Sequence, residues 1–472
     1  MIHFIVELLR TLTAILEKEV FMQKRNAGSV DLTNGSIPGG ILAFTIPLFL
    51  GQLLQQFYNM VDAWVIGNFA DNNAFAAVSS TGTIVFLIIG FFAGIATGGG
   101  VIISRYFGAQ DEENVSKAVH TNFLMGLIAS VIGTAAGLFL APHLLVWMGT
   151  PDSVMPRALS YLRIYFGGVS TVIMYNICMS IMRALGDSIH PLYYLLFSSI
   201  VNILLDLLFV AHPAFHWGVA GAAVATVISQ GLSVILCLFR MCRLKDYTRL
   251  DFRKIRYHAW MMKQVLYQGL PSGIQNAVIT VGNLVIQKNI NSFGAYAMSG
   301  MGAYSKIEGF VFLPIMSMAM ALPTFVSQNL GARQYHRAKK GAVFGILFGM
   351  ITAEITGLLI YFFIPYALKI FGSTQEAITY GTIHAHIVSL FFFLLAFSHC
   401  AAGVMRGCGY AVVPMAGMLL FWCGLRIVYV TTALRFFPVF QMISWAYPLT
   451  WGCSTILFLI FLFKADWQHH LD

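Results

Sequence analysis

The run Ser199-Ile200-Val201-Asn202-Ile203-Leu204-Leu205-Asp206-Leu207-Leu208 places one amide and one carboxylate in an otherwise apolar stretch. Ser199, Asn202 and Asp206 fall at i, i+3 and i+7, so on a helix they share one face. A carboxylate in a membrane span costs about 3 kcal/mol on insertion scales and normally faces a bundle interior or a wet cavity. A second carboxylate, Asp62, ends the stripe Gln52, Gln55, Asn59 and Asp62, spaced i, i+3, i+7 and i+10, which a span facing only lipid would not carry. Thr226 aligns with Ala222 and Gln230 at i, i+4 and i+8, although a threonine in a span often bonds its own backbone. Two carboxylates brought together in low dielectric share a proton and titrate as a unit. Asp, Asn and Thr oxygens are equally the hard ligands that a small hard cation such as Na+ takes.

These residues need a membrane scaffold to position them, and composition supplies one. Of 472 residues, 58% are hydrophobic and 10% charged, against about 25% charged in a soluble domain. Apolar runs of roughly 20 residues recur along the whole length, each long enough for a hydrocarbon core of about 30 Å. Twelve such spans are expected, with no stretch left for a soluble domain. The net charge of +9 reports topology, because nineteen of the 28 Lys and Arg fall at alternate connections, eight of them within residues 240–263. The opposite connections hold only Lys369 and Arg435. That asymmetry predicts both termini in the cytoplasm and needs no nucleic-acid partner; the expected location is the plasma membrane. The seven cysteines are scattered without CxxC spacing and the thirteen histidines without HExxH, so neither a disulfide framework nor a zinc site is expected. His384 and His386, two apart, read as packing residues.

Along the chain, residues 1–36 form an N-terminal segment, and its first 21 are amphipathic and broken by Glu7 and Arg10, unlike a signal peptide. Residues 37–240 make a first lobe of six spans, 241–263 a cytoplasmic linker, 264–464 a second lobe of six, and 465–472 a tail. Pro47 inside the first span removes a backbone hydrogen bond and predicts a kink or hinge. The halves repeat at an offset of 223: Ser104, Gly108 and Lys117 meet Ser327, Gly331 and Lys340, and Met182, Arg183, Gly186 and Pro191 meet Met405, Arg406, Gly409 and Pro414. Six spans per unit is even, which gives parallel repeats about an axis along the membrane normal, with a cavity between them that can open to either face. The carboxylates break that symmetry, because at this offset Asp62 meets Val285 and Asp206 meets Tyr429. Coupling chemistry is therefore expected in the first half. Asn276, Asn283 and Gln287 give the second half a neutral stripe, suited, with Gln55, Tyr58 and Asn59, to a substrate wall. Lys306 and Glu308 are close enough in sequence for a local ion pair, and Glu354 lies in no polar stripe.

The paired MR-x-x-G-x-x-x-x-P signatures, the first-span QQFYNMVD and the N-x-x-x-D of Asn202 and Asp206 together resemble the multidrug and toxic compound extrusion (MATE) family over residues 35–464. The resemblance implies an all-α fold of twelve helices in two six-helix bundles, no cofactor and no catalytic residues. It implies export of small amphipathic, often cationic compounds against inward H+ or Na+ flow by a protein active as a monomer. In the branch similar to DinF proteins it makes Asp62, Asn202, Asp206 and Thr226 the cation site, open to H+ or Na+, and Pro47 the bending point. The seventh-span glutamate of the NorM-like branch is missing, since residues 269–279 hold no acid. Two other readings remain open at the level of sequence. One is a lipid-linked oligosaccharide flippase of the same superfamily, which would want cations lining the cavity. The other is an intramembrane enzyme, which would want a GxGD or HExxH motif.

Overall fold

A computed structural model describes residues 30–69, 72–212, 217–244, 246–370 and 374–467; the amphipathic reading of residues 1–21 falls outside them. The described residues are mostly helical, with no strand among them. Ten helices are long and apolar enough to cross a bilayer, and an eleventh span is a helix pair, Met155–Gly167 and Val169–Ala184, bent by 47°. The bend falls at the Gly167-Gly168 pair, where a Cβ on Gly168 would run into Val227, a composition that tolerates a kink. A further helix, Ala259–Asn291, has 33 residues and so reaches about 50 Å at 1.5 Å per residue. Gln268, Gln275, Asn276, Asn283 and Gln287 dilute its apolarity, although its length suffices to cross a bilayer.

In chain order the twelve spans are Ile37–Phe69, Asn72–Gly108, Glu112–Trp147, the bent pair, Ile189–Asp206 continuing through Leu207–Ala211, Gly218–Arg243, Ala259–Asn291, Ala295–Gly331, Tyr335–Ile370, Gln375–Gly407, Val412–Phe436 and Gln441–Lys464. Bulky apolar residues such as Phe139, Phe362 and Phe463 stand exposed on the outside of the bundle, a surface that suits lipid and would aggregate in water. The repeat is visible in the backbone as well as in the sequence. Gln110 and Arg333, which are 223 apart, have φ of 56° and 57°, and Gly186 and Gly409, also 223 apart, have φ of 86° and 97°.

The two halves meet most closely where the second and seventh spans cross. Gly94 and Gly98 lie against the backbone of Gly273 and Gly269, an approach that only residues without a Cβ permit. Asn276 Nδ2 donates to Gly90 O across the same seam at 2.9 Å. Toward the ends of the second and eighth spans the contact continues through Ser327 Oγ to Val101 O at 3.0 Å and Gln328 Nε2 to Ala184 O at 2.8 Å. Beyond Gly90 the second span leaves this seam, and a Cβ on Gly82 would meet nothing within 4 Å. The halves are thus joined at the end that carries most of the Lys and Arg. The first span also crosses to the second half, with Gln52 Nε2 3.2 Å from Met320 Sδ and the Phe57 and Phe310 rings 6.1 Å apart.

Candidate ion-coupling site

Asp206 is the last α-helical residue of the fifth span; at Leu207 the helix widens into a π-turn that runs to Ala211. Such turns are rare and cluster at functional sites, because the extra residue re-aims the side chains around it. Asp206 is fully buried, and Asn202, one turn earlier, is 1% exposed. With its amide nitrogen turned toward the carboxylate, Asn202 donates to Asp206 Oδ2 at 2.9 Å and its amide oxygen accepts from the backbone N–H of Thr226 at 3.3 Å. Asp62 arrives from the first span, and its carboxyl group faces that of Asp206 within hydrogen-bonding reach. The Tyr58 hydroxyl, one turn before Asp62, faces Thr226. The Thr226 hydroxyl also returns to Ala222 O at 3.0 Å, the self-bonding expected of a threonine in a span.

Two ionised carboxylates have no donor between them, so a hydrogen bond joining Asp62 to Asp206 requires one proton on the pair. Asp62 Oδ1 and Asp206 Oδ1 are both buried with no hydrogen-bond partner. Among the described residues no cluster of three or more His, Cys, Asp or Glu stands ready for a metal ion.

The structure gathers Asp62, Asn202, Asp206 and Thr226 from three spans, with Tyr58 beside them. Gln55 and Asn59 are exposed on the first span, as are Asn283 and Gln287 on the seventh. Gln287 donates to Asn291 at 2.9 Å, and Asn276 is committed to Gly90 across the seam. Of the expected substrate-wall residues, Tyr58 sits beside the carboxylates, whereas Gln55, Asn59, Asn283 and Gln287 are exposed. Pro47 is buried within a first span that runs as one uninterrupted helix. Two tyrosines that sequence reasoning did not select, Tyr161 and Tyr165, stack with centroids 6.0 Å apart, and Tyr161 lies within electrostatic reach of both carboxylates. Their i, i+4 spacing on the least apolar stretch of the fourth span was the available signal.

The second half holds a buried polar cluster of its own, which the sequence also did not announce. Tyr304 Oη donates to Glu308 Oε1 at 3.3 Å, while Lys306 points to the exposed side, so Glu308 turns inward and does not pair with its neighbour. Arg426, 2% exposed, donates from Nε and Nη2 to Thr450 Oγ1 at 3.3 and 2.9 Å and sits 4.5 Å over the Tyr447 ring. Glu308 is within its electrostatic reach. His384 Nδ1 contacts Ser444 Oγ at 2.9 Å, between the Tyr304 and Tyr447 rings. A second π-turn, Leu419–Leu425, precedes Arg426.

This duplicated arrangement has a family. The family model described as MatE matches the chain twice, at residues 47–208 and 271–432, together more than half of its length. The chain belongs to the MatE family, and it is a multi-pass membrane transporter, not an enzyme. Among curated proteins it is similar to the probable multidrug resistance protein YpnP of Bacillus subtilis (strain 168), 29% identical over 83% of this chain and 87% of that one. The probable multidrug resistance protein YoeA of the same organism is 29% identical over 79% of this chain and 81% of its own. In fold it resembles a structure described as the outward-facing conformation of a multidrug resistance MATE family transporter of the MOP superfamily, with a TM-score of 0.86 at 19% identity, covering 93% of this chain and 98% of that one.

The two family matches begin on Pro47 and Pro271 and lie 224 apart at both ends, one residue more than the 223 that aligns the middle of each half. The π-turn before Arg426 supplies an inserted residue of the required size in the eleventh span. In that register Asn202 meets Arg426, and Asp62 and Asp206 meet Ile286 and Val430, so the second half still has no acid at either place.

Proposed function

We propose that this chain is a secondary active exporter, moving amphipathic, often cationic compounds out across the plasma membrane in exchange for inward H+ or Na+ by alternating access. The observation that carries the reading is the Asp62–Asp206 contact, with one buried and unpartnered oxygen on each carboxyl group. An unsatisfied buried acceptor costs about 1–3 kcal/mol, and more when charged; a proton or a small cation removes that cost. The names of the relatives, both probable multidrug resistance proteins, support the substrate class. A flippase would have to meet a pyrophosphate headgroup with cations, whereas the side chains around Asp206 are a carboxyl, an amide and hydroxyls.

In this reading Asp62, Asn202, Asp206 and Thr226 form the coupling site of a DinF-like transporter with cytoplasmic termini, active as a monomer. Gln55, Tyr58, Asn59, Asn276, Asn283 and Gln287 belong to the substrate wall. The first span carries Asp62 and also packs on the eighth span, at Gln52 with Met320 and Phe57 with Phe310. A change of charge at Asp62 therefore acts on a helix that touches both halves, and Pro47 provides the weak point at which that helix can bend. If the cation favours one facing state and the compound the other, exchange follows by linkage. Efflux from proteoliposomes under a pH gradient without Na+, and under a Na+ gradient at constant pH, tests this directly. One gradient should drive efflux, and efflux that responds to neither would remove antiport from the account.

A further inference from the structure

The segment ahead of the first span is built to touch both halves at once. Val30 N donates to Gly186 O at 2.9 Å in the first half. Gly186 has φ +86°, and a Cβ there would come within 2.7 Å of Val30 O, so the residue type permits the contact. Two residues on, Leu32 is fully buried, and its carbonyl accepts from Asn329 Nδ2 at 3.1 Å and from Arg337 Nε and Nη2 at 3.3 Å each, all in the second half. The same guanidinium donates to Asn34 O at 2.9 Å and Gly35 O at 2.7 Å. Three carbonyls of this turn, those of Leu32, Asn34 and Gly35, thus meet one planar fork of donors, a match that a lysine cannot reproduce.

The turn is also bonded within itself. The Asp31 carboxylate accepts from Thr33 N at 2.9 Å, Thr33 Oγ1 at 2.8 Å, Asn34 N at 3.2 Å and Asn34 Nδ2 at 3.0 Å. Gly35, at φ +74°, turns the chain into the first helix. The segment lies at the same end as the glycine seam and the Gln328–Ala184 bond, where the halves are joined. Opening that end separates Gly186 from Asn329 and Arg337, so one anchor must break.

We propose that residues 30–36 form a strap across the two halves, that Arg337 is the residue positioning it, and that its release accompanies opening of this end of the protein. The proposal rests on the alternating-access reading for its place in the cycle, but its geometry can be tested apart from transport. Spin labels at Glu112 and His336, both exposed, report the distance between the halves at this end, in a background without the partly exposed Cys242, Cys423 and Cys453.

Arg337→Ala should enlarge the long-distance population about tenfold over the parent, the scale of one lost charge-assisted hydrogen bond, and Arg337→Lys should enlarge it less. Asp31→Ala, which unshapes the turn while leaving both anchors in place, should shift it the same way and decides the matter if Arg337→Ala does not fold. An unchanged distance distribution in a well-folded Arg337→Ala, or in Asp31→Ala in its stead, overturns the strap. A protein whose distances respond to Arg337 but which exports nothing under either gradient keeps the strap and loses the exporter reading.

Discussion

Substituting Gly269 by alanine should pry the halves apart where the second and seventh spans cross. A Cβ on Gly269 would lie 2.7 Å from Ile95 O, and ordinary contact begins at 3.4 Å, so the helices must separate locally by about 0.7 Å. The neighbour is backbone carbonyl, which cannot rotate away as a side-chain tip could. Overpacking of this kind costs about 1–3 kcal/mol, and if the cost falls only on the joined state it shifts the balance about 5- to 150-fold toward separation. Gly273→Ala makes the same demand one turn along, 2.7 Å from Phe91 O, and the double variant should exceed either alone. Gly82→Ala is the control, because its Cβ meets nothing within 4 Å while it brings the same gain in helix propensity, up to about 1 kcal/mol. The assay is the Glu112–His336 label distance together with efflux from proteoliposomes. If Gly269→Ala matches Gly82→Ala in both, the glycine seam is not the closing surface and the reasoning fails.

Two further outcomes follow from the same geometry. Pro47 lies fifteen residues before Asp62, about 22 Å along a helix, so it can act on the carboxylates only through helix shape. Pro47→Ala should slow efflux with the protein intact and Pro47→Gly should slow it less; wild-type rates in both would leave Pro47 a packing residue. In the second half, Arg426→Met leaves Glu308 without its nearby cation and should lower the thermal midpoint of the purified protein, while Arg426→Met with Glu308→Gln should recover part of the loss, a coupling of about 1 kcal/mol or more. Strictly additive midpoints would mean that the two charges do not interact.

Much of the architecture was legible because a bilayer imposes a strong rule on the chain. Each span must satisfy its own backbone and stay apolar, so Asp62 and Asp206 stood out as residues needing partners, and the fold brings them to each other. The seventh span was legible by length and position despite its diluted hydropathy. What could not be read is local winding: a π-turn adds one residue without a sequence signature, and the one at Leu419–Leu425 lies between the pair Pro191 and Pro414, 223 apart, and the match ends at 208 and 432, 224 apart. The second-half cluster escaped for a related reason. Glu308, His384 and Arg426 come from the eighth, tenth and eleventh spans, and each alone reads as a snorkelling or packing residue. The offset of 224 between the two family matches sets Arg426 opposite Asn202.

The central claim is that the Asp62–Asp206 pair carries the coupling ion. The measurement that bears on it most directly is gradient-driven efflux by Asp62→Asn and Asp206→Asn in proteoliposomes at matched protein content. Each change keeps the shape of the side chain and removes the charge, which should make membrane insertion no harder. Both variants should insert and purify as wild type yet show no efflux above the background of empty liposomes under either the pH or the Na+ gradient. Full gradient-driven export by either variant would contradict the account.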